Sequence, residues 1–434
     1  MNYLSLYIHI PFCVKKCNYC DFLSSACNEE IKQEYVDVLC SEITERAKYF
    51  KDKKVDTIFF GGGTPSILSK EQSMKIMDTI RQEFHILSEA EISMELNPGT
   101  VNREKLETYQ KIGINRLSIG LQSADNEELK VLGRIHTWEV FLQTWKLVRE
   151  AGFTNVNIDL MSALPGQTLE SYENTLRKVL ALKPEHISAY SLIIEEDTKF
   201  YEWFQEEGEA KHLILSEDKA APEVNKIQEQ SKETESLEIK SKKLPDEITD
   251  RQMYEMTKEL LEEHGYYRYE ISNYALKGYE CKHNIGYWKR KEYLGLGLGA
   301  ASLISNVRSS NIGDLTEYLK LGESKEEDSE VSEKVNVETS MDRVGKVKWS
   351  MEQEELSVKE QMEEFMFLGL RMMEGISPAE FEKQFGVSLQ EIYGKQISKL
   401  KKQGLLEFCE GSQRYALTLQ GIDVSNRVFA EFID

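Results

Sequence analysis

The chain has 434 residues, 40% of them hydrophobic and 30% charged, so it is long enough for two or three domains around a large core. Its 54 basic and 75 acidic residues give a net charge of −21, which disfavours nucleic acid as a partner because phosphate backbones are repelled. No apolar run approaches the length of a membrane span, and residues 1–7 lack the basic flank and cleavage site of a secretory signal. The seven cysteines are an odd number and three are clustered, which favours a reducing compartment, so we predict a cytoplasmic protein.

The first 192 residues read as six repeating strand–helix units. Predicted strands cover residues 4–11, 55–60, 91–96, 116–121, 155–161 and 186–192. Segments with helical spacing of apolar residues lie between them, and Ser69, Asn102 and Thr168 stand where helix N-caps are expected. Six alternating units predict a parallel sheet with helices outside it, with an open doubly wound sheet as the competing architecture. No G-x-G-x-x-G follows the first strand, so a common nucleotide-binding sheet is not supported.

The loop after the first predicted strand carries Cys13, Cys17 and Cys20 in the spacing C-x-x-x-C-x-x-C. Thiolates this close together on a short loop can converge on one soft metal centre. A tetrahedral zinc site would need four protein ligands, and the loop holds no fourth cysteine or histidine. Three cysteines suit a cubane iron–sulfur cluster whose fourth iron is free for an exogenous chelating ligand. Zinc and three structural thiols are the alternatives.

Polar residues stand at the ends of three predicted strands, where apolar runs should continue or stop. These residues are Glu95, Gln122 and Asp159. An unpaired charge costs several kcal/mol in a sheet interior, so such residues are placed where a ligand or partner meets them. An internal salt bridge would explain any one of them, but three at matching strand ends predict a ligand site. The glycine run at residues 61–63 exposes backbone to close approach, although a plain turn is the alternative reading.

The remaining chain divides by composition. Residues 205–249 and 322–356 are charged inserts that cannot bury enough apolar area to order themselves. Residues 250–321 continue the core that begins with residues 1–204. Residues 357–434 predict three helices, a hairpin over 405–419 and a closing helix over 421–432, in a winged-helix-like order. On an acidic chain we interpret this region as a packing module and not as a DNA reader.

Seven motifs together resemble the HemN/HemW family of the radical S-adenosylmethionine (SAM) superfamily. They are Y-I-H-I-P-F-C at residues 7–13, C-D-F at 20–22, G-G-G-T-P at 61–65, E-L-N-P at 95–98, G-L-Q-S at 120–123, L-G-R-I-H at 132–136 and D-L-M at 159–161. The family includes oxygen-independent coproporphyrinogen III dehydrogenases and the heme chaperones of the HemW branch. The resemblance implies an α/β fold with a partial six-unit (β/α) barrel, followed by a smaller α+β region with a winged-helix-like module.

The resemblance also implies two cofactors. A [4Fe-4S] cluster would be held by Cys13, Cys17 and Cys20, and SAM would occupy its open iron. The positions that match SAM contacts in the family are Tyr7, Tyr19, Gly62, Gly63, Thr64, Glu95, Gln122, Arg134 and Asp159. Arg134 would suit a carboxylate, and Asp159 ribose hydroxyls. A reductant such as flavodoxin or ferredoxin is a possible protein partner.

Two departures point to the heme chaperone branch. The decarboxylating enzymes have a cysteine where this chain has Phe22, and they carry an extra segment before the first strand, which here begins almost at Met1. Residues 283–288 also fit H-N-x-x-Y-W, the motif that marks this branch. The resemblance therefore implies heme as a ligand and a heme-acceptor protein as a partner.

The proposed heme residues are His283, as an axial ligand, with Tyr287 and Trp288 as flat apolar surface. Cys281 is a weaker candidate ligand, and a hydrogen-bonded core histidine is the alternative reading of His283. A chaperone without catalysis is favoured. The runner-up is coproporphyrinogen III dehydrogenase, and radical modification of tRNA is a third class that the acidic balance disfavours.

Overall fold

The structure is a computed structural model that describes residues 3–204, 239, 242–323 and 349–433. Six parallel strands lie side by side at its centre in the order of the chain. They are β1 (Tyr3–Ile10), β2 (Lys54–Gly62), β3 (His85–Leu96), β4 (Arg116–Gln122), β5 (Val156–Ser162) and β6 (His186–Ser191). In the described residues β1 and β6 pair with other neighbours and not with each other, so the six units form a partial barrel, as expected.

Helices connect the strands and cover one face of the sheet. They are α1 (Glu29–Ala47), α2 (Lys70–Glu83), α3 (Arg103–Lys111), α4 (Asn126–Val131), α5 (Trp138–Glu150), α6 (Leu169–Leu182), α7 (Lys199–Phe204) and α8 (Glu247–Glu263). Ser69, Asn102 and Thr168 cap α2, α3 and α6 through their side chains, as predicted. Among the described residues, no helix is long and apolar enough to cross a bilayer.

The two faces of the parallel strands differ in chemistry because side chains alternate along each strand. Leu6, Ile8 and Met94 belong to the apolar core that packs the strands against the helices. The intervening residues are polar and just as buried, as Glu91 and Arg116 illustrate. The interior of the barrel is therefore a polar network, and the apolar core lies outside it.

Further strands extend the sheet at both edges. Next to β6 run β8 (Asn273–Ala275) and β7 (Tyr267–Arg268). After the helix α9 (Lys282–Trp288), β9 (Tyr293–Leu296) pairs in parallel with β1, followed outward by β10 (Ala301–Ile304), β11 (Val307–Asn311) and β12 (Ser350–Glu355). Helix α10 (Leu315–Glu323) follows β11 in the chain.

The boundaries drawn for the second insert are too wide. Residues 350–355 form β12 and Trp349 is fully buried, so the insert ends before position 349 and not at 356. The compositional reading missed this end because polar residues dominate β12, a strand at the sheet edge. Most of both predicted inserts lies outside the described residues.

The C-terminal region has its own core. It contains α11 (Val358–Gly369), α12 (Pro378–Phe385), α13 (Leu389–Lys402), the hairpin strands β13 (Leu406–Cys409) and β14 (Arg414–Leu417), α14 (Leu419–Asp423) and α15 (Ser425–Ala430). The predicted order of three helices and a hairpin is present. The single closing helix is wrong, because Val424 leaves the helical conformation (φ −118°, ψ 33°) and separates α14 from α15.

Candidate functional site

A cavity of about 430 Å³ lies at the carboxyl ends of the parallel strands, with the cysteine loop as one wall. It gathers residues that are far apart in the sequence. Every predicted cluster and SAM residue except Tyr7 lines it: Cys13, Cys17, Cys20, Tyr19, Gly62, Gly63, Thr64, Glu95, Gln122, Arg134 and Asp159. Binding sites of parallel α/β barrels lie at this end of the strands, so the location agrees with the expectation.

The three loop thiols are free and face this cavity together. Backbone hydrogen bonds between Cys13 and Ser25 and between Ser25 and Pro11 hold the loop against the end of β1. Burial raises the pKa of Cys20 to about 11. In the described part of the chain, no group of three or more His, Cys, Asp or Glu side chains is arranged around a point suited to a single ion. A cubane needs no such point, because each thiolate binds a different iron, and three free thiols on one wall fit that donor set.

Arg134 connects the cysteine loop to the strand ends. Its Nη2 atom donates to Asn97 Oδ1 and to the Gly120 carbonyl, both at 2.6 Å, and its Nη1 atom lies 3.6 Å from Cys17 Sγ. The Nε atom is buried without a partner in the described residues. The guanidinium is thus fixed between β4 and the loop, with one donor still unused.

Two half-buried carboxylates, Glu95 and Asp159, interact electrostatically in the cavity. Burial, and then the charge of Asp159, raise the pKa of Glu95 to about 8. Burial also raises the pKa of Asp159, although Asn157 donates to its Oδ1 at 2.7 Å and Ser118 to its Oδ2 at 3.1 Å. Like charges held together out of water favour a cationic ligand, because it would relieve their repulsion.

The glycine-rich end of β2, with Gly63 after it, packs tightly under the cysteine loop. A Cβ atom on Gly63 would lie 2.7 Å from the Phe12 carbonyl oxygen, and one on Gly62, where φ is +106°, would lie 2.5 Å from the His9 ring. These positions therefore need glycine for the fold itself as well as for any ligand. Thr64 follows, and its Oγ1 atom accepts from Asn97 at 2.8 Å and lies 3.3 Å from Cys13 Sγ.

Three further predicted residues differ in their placement. Tyr7 lies outside the cavity lining: its ring stacks on Phe59 with centroids 6.3 Å apart, and its hydroxyl is 3.1 Å from His9 Nδ1. Tyr19 lines the cavity and packs beside Phe200 of α7, in an apolar cluster. Gln122 ends β4 with a positive φ of 74°, a strained backbone conformation of the kind that concentrates at functional sites.

His283 is a hydrogen-bonded interior residue. It is 1% exposed, its Nδ1 atom lies 2.9 Å from Thr57 Oγ1, and its Nε2 atom lies 2.9 Å from the Tyr287 hydroxyl. Burial, followed by the nearby charges of Lys291 and Arg116, lowers the pKa of His283 to about 3. Both ring nitrogens are therefore already engaged, which matches the alternative reading of this residue.

Cys281 and the other two predicted heme residues have different surroundings. Cys281 is fully buried, its Sγ atom is 3.5 Å from Glu91, and burial raises the pKa of its thiol to about 12. Tyr287 packs edge-on against Tyr293. Trp288 lines a second cavity of about 460 Å³, between α9 and the C-terminal region. The motif thus reaches from the barrel interior to the domain junction.

Sequence reasoning missed two residues that hold this arrangement together. Asn97 bridges Thr64 and Arg134, and its only sequence signal was its place in the E-L-N-P motif. Glu91 accepts backbone hydrogen bonds from Lys282 at 3.0 Å and His283 at 3.1 Å, so it caps α9 from the barrel wall. Its signal was a charged residue at the start of a predicted buried strand.

Comparison with known proteins agrees with the fold and the motifs. The radical SAM superfamily model matches residues 7–179, and the HemN C-terminal domain model matches residues 356–424. The heme chaperone HemW of Lactococcus lactis is 33% identical over 429 residues, covering 99% of this chain and 97% of that protein. HemW of Bacillus subtilis is 34% identical over 430 residues, covering 99% of each. Among solved structures, Escherichia coli coproporphyrinogen III oxidase (HemN), a radical SAM enzyme, is similar with a TM-score of 0.74 and 24% identity, covering 99% of this chain and 89% of that one.

Proposed function

This chain belongs to the HemN/HemW family of the radical SAM superfamily, and on that premise we propose that it is a cytoplasmic heme chaperone. In this role it would carry a [4Fe-4S] cluster and SAM, bind heme and pass it to an acceptor protein. The observation that carries the proposal is the convergence of the cysteine loop and the strand-end motif residues on one cavity. The relatives named heme chaperones, which match over nearly the whole chain, support heme as the cargo.

The cavity offers the contacts that the two cofactors need. Cys13, Cys17 and Cys20 would hold the cluster, which together with SAM supplies one-electron reductive chemistry when bound. The carboxylates of Glu95 and Asp159 would attract the positive charge of SAM and accept hydrogen bonds from its hydroxyl groups. The backbone at Gly62 and Gly63, with Thr64, would border the methionyl end, and Gln122 adds an amide at the same wall.

Arg134 and the aromatic residues would complete the SAM site. The unused Nε donor of Arg134 favours a carboxylate as its partner. Tyr19 would pack against the adenine. Tyr7, which lies outside the cavity lining, would support the wall through His9, whose ring packs against Gly62. Flavodoxin or ferredoxin would serve as the reductant.

Heme would bind at α9, through His283, Tyr287 and Trp288. The contacts of His283 set a condition on this proposal: iron ligation at Nε2 requires the 2.9 Å contact with the Tyr287 hydroxyl to open. Trp288 needs no contact to open before it can touch heme, because it already lines a cavity. Heme contact through Trp288, with His283 supporting α9 from inside the barrel, therefore needs the smaller rearrangement.

One oxygen-free preparation tests the function. The cluster is reconstituted, hemin is titrated by absorbance, and SAM cleavage and coproporphyrinogen turnover are measured on the same sample. We expect about one heme per chain with the cluster in place and no porphyrinogen decarboxylation. Absence of heme binding above background would refute the chaperone role. Decarboxylation of coproporphyrinogen would instead assign the chain the dehydrogenase function.

A matched pair of histidine variants sharpens this test. His283→Ala should lose heme affinity and keep its cluster iron, because it disturbs α9 and leaves the cysteine loop intact. His85→Ala is the control, since His85 is an exposed histidine at the opposite end of β3 from the cavity. Equal heme affinity in the two variants would remove His283 from the heme site.

A further inference from the structure

The cavity beside Trp288 has the chemistry of a binding site, and the proposed function assigns a role to Trp288 alone among its lining residues. Its volume, about 460 Å³, lies in the range of small-molecule sites. Apolar walls come from both sides of the domain junction: Trp288 ends α9, and Phe365, Met372 and Ile376 belong to the C-terminal region. A ligand seated there would contact both parts of the chain at once.

The lining of this cavity is net positive, whereas the protein as a whole is net negative. Four cationic side chains line it, Lys289, Arg290, Lys383 and Arg414, against the two acidic ones of Glu374 and Glu380. The whole chain carries a net charge of −21, so a locally cationic cavity is a departure from the average surface. Such a departure favours a ligand with negative charge.

Most of these cations are already paired. The Nζ atom of Lys289 lies 2.8 Å from Glu374 Oε1. The Nε atom of Arg290 lies 2.6 Å from Glu364 Oε2, and the Nη2 atom of Arg414 lies 2.6 Å from Glu380 Oε1. Lys383 is exposed on α12 and forms no ion pair among the described residues. It is therefore the cation at this cavity whose charge is available to a ligand.

Trp288 supplies an aromatic surface to this cavity. The Arg371 guanidinium lies 4.3 Å from the centre of the indole ring and covers one face, which leaves the other face or the edge for the cavity. An indole wall and a spare cation together suit a flat, largely apolar molecule with carboxylate groups.

We propose that this junction cavity is the seat of the heme macrocycle, with Trp288 against the ring and Lys383 at a propionate. The proposal rests on the chaperone function, which supplies heme as the ligand. It places the cargo between α9 and the C-terminal region, so release to an acceptor would depend on how these two parts separate. Met372 is the lining side chain able to ligate heme iron, through its thioether.

The test compares hemin with hemin dimethyl ester, whose propionates are blocked, on the full chain and two charge-reversed variants. Lys383→Glu alters the cavity, and Lys395→Glu makes the same change at an exposed lysine of α13 outside it. We expect Lys383→Glu to weaken hemin binding roughly tenfold or more, because an attractive charge becomes repulsive. Lys395→Glu should bind hemin as the unchanged chain does.

Hemin dimethyl ester distinguishes direct contact between Lys383 and a propionate from a long-range electrostatic effect of the charge change. It should bind the unchanged chain more weakly than hemin does, and Lys383→Glu should weaken it little further. Equal hemin affinity in both variants and the unchanged chain overturns the proposal, and so does equal weakening by both. If the unchanged chain binds no hemin at all, the chaperone function itself fails, which is a different result from heme bound elsewhere.

Discussion

The carboxylate of Glu91, on β3, accepts a 3.1 Å hydrogen bond from the backbone N–H of His283, in the first turn of α9. The same carboxylate accepts from the Lys282 N–H at 3.0 Å. A negative group at a helix N-terminus satisfies donors that have no partner within the helix and opposes the helix dipole favourably. Glu95, four residues further along the same strand, faces the cluster cavity, so β3 connects that cavity to the heme motif.

This contact predicts the effect of Glu91→Gln. The amide can replace only one of the two acceptor oxygens, and the buried Arg116 nearby would lose an opposite charge. We expect the free energy of unfolding to fall by about 2 kcal/mol, measured by urea titration. Heme affinity should fall as α9 loosens, while iron per chain is unchanged.

Glu89→Gln is the control for this variant. Glu89 lies on the same strand with an exposed side chain, so the same chemical change should leave stability within about 0.5 kcal/mol of the unchanged chain. Loss of iron from Glu91→Gln equal to its loss of heme would contradict the separation between the two sites.

His283 predicts an acid-dependent loss of stability. Its pKa is about 3 in the folded chain and about 6.5 when unfolded, so the unfolded state binds more protons between these values. The contribution of neutral His283 to the free energy of unfolding is complete above pH 6.5. It is lost as the pH falls toward 3, by at most about 1.4 kcal/mol per pH unit. His283→Gln has no such proton to bind and should gain stability relative to the unchanged chain between pH 6 and 4. A difference that stays constant over this interval in urea titrations would refute this account.

The parallel strands and their helix caps were predictable because their signals are local. Each strand is a short apolar run closed by turn residues, and Ser69, Asn102 and Thr168 are ordinary N-cap types. Strand β9 was missed because glycine interrupts it and its partner β1 lies far away in the sequence. Propensity does not record such a non-local pairing.

The same distinction holds for the site. The cysteine spacing and the strand-end acids are local patterns, so the cavity's main residues could be named in advance. The environment of His283 could not be predicted, because its partner Thr57 is 226 positions away in the sequence. The hydrogen bond from Arg134 to Asn97, 37 positions apart, could not be predicted either. These contacts decide whether a histidine or an arginine is free to bind, and they arise only when the chain folds.

Glu95 predicts the opposite pH dependence from His283. Its pKa is about 8 in the folded chain and about 4.5 when unfolded, so the folded state binds more protons in that window. Without cofactors, the contribution of Glu95 to stability should therefore fall as the pH rises from 5 to 8. Glu95→Gln lacks this proton and should become more stable relative to the unchanged chain by about 2 kcal/mol or more over the same interval. A Glu95→Gln chain whose relative stability is flat from pH 5 to 8 would show that Glu95 is ionised when folded.

Cysteine variants test the cluster directly. Cys13, Cys17 and Cys20 line the cavity together, whereas Cys27 lies beyond the loop and is not among its lining residues. Serine at any one of the first three positions should abolish cluster iron and sulfide after oxygen-free reconstitution, because a cubane held by three thiolates loses a third of its protein ligands. Cys27→Ser should retain both at the level of the unchanged chain. If Cys27→Ser also loses its iron, a fourth thiol ligates the cluster and no iron is left open for SAM, so heme binding would need to be explained without that cofactor.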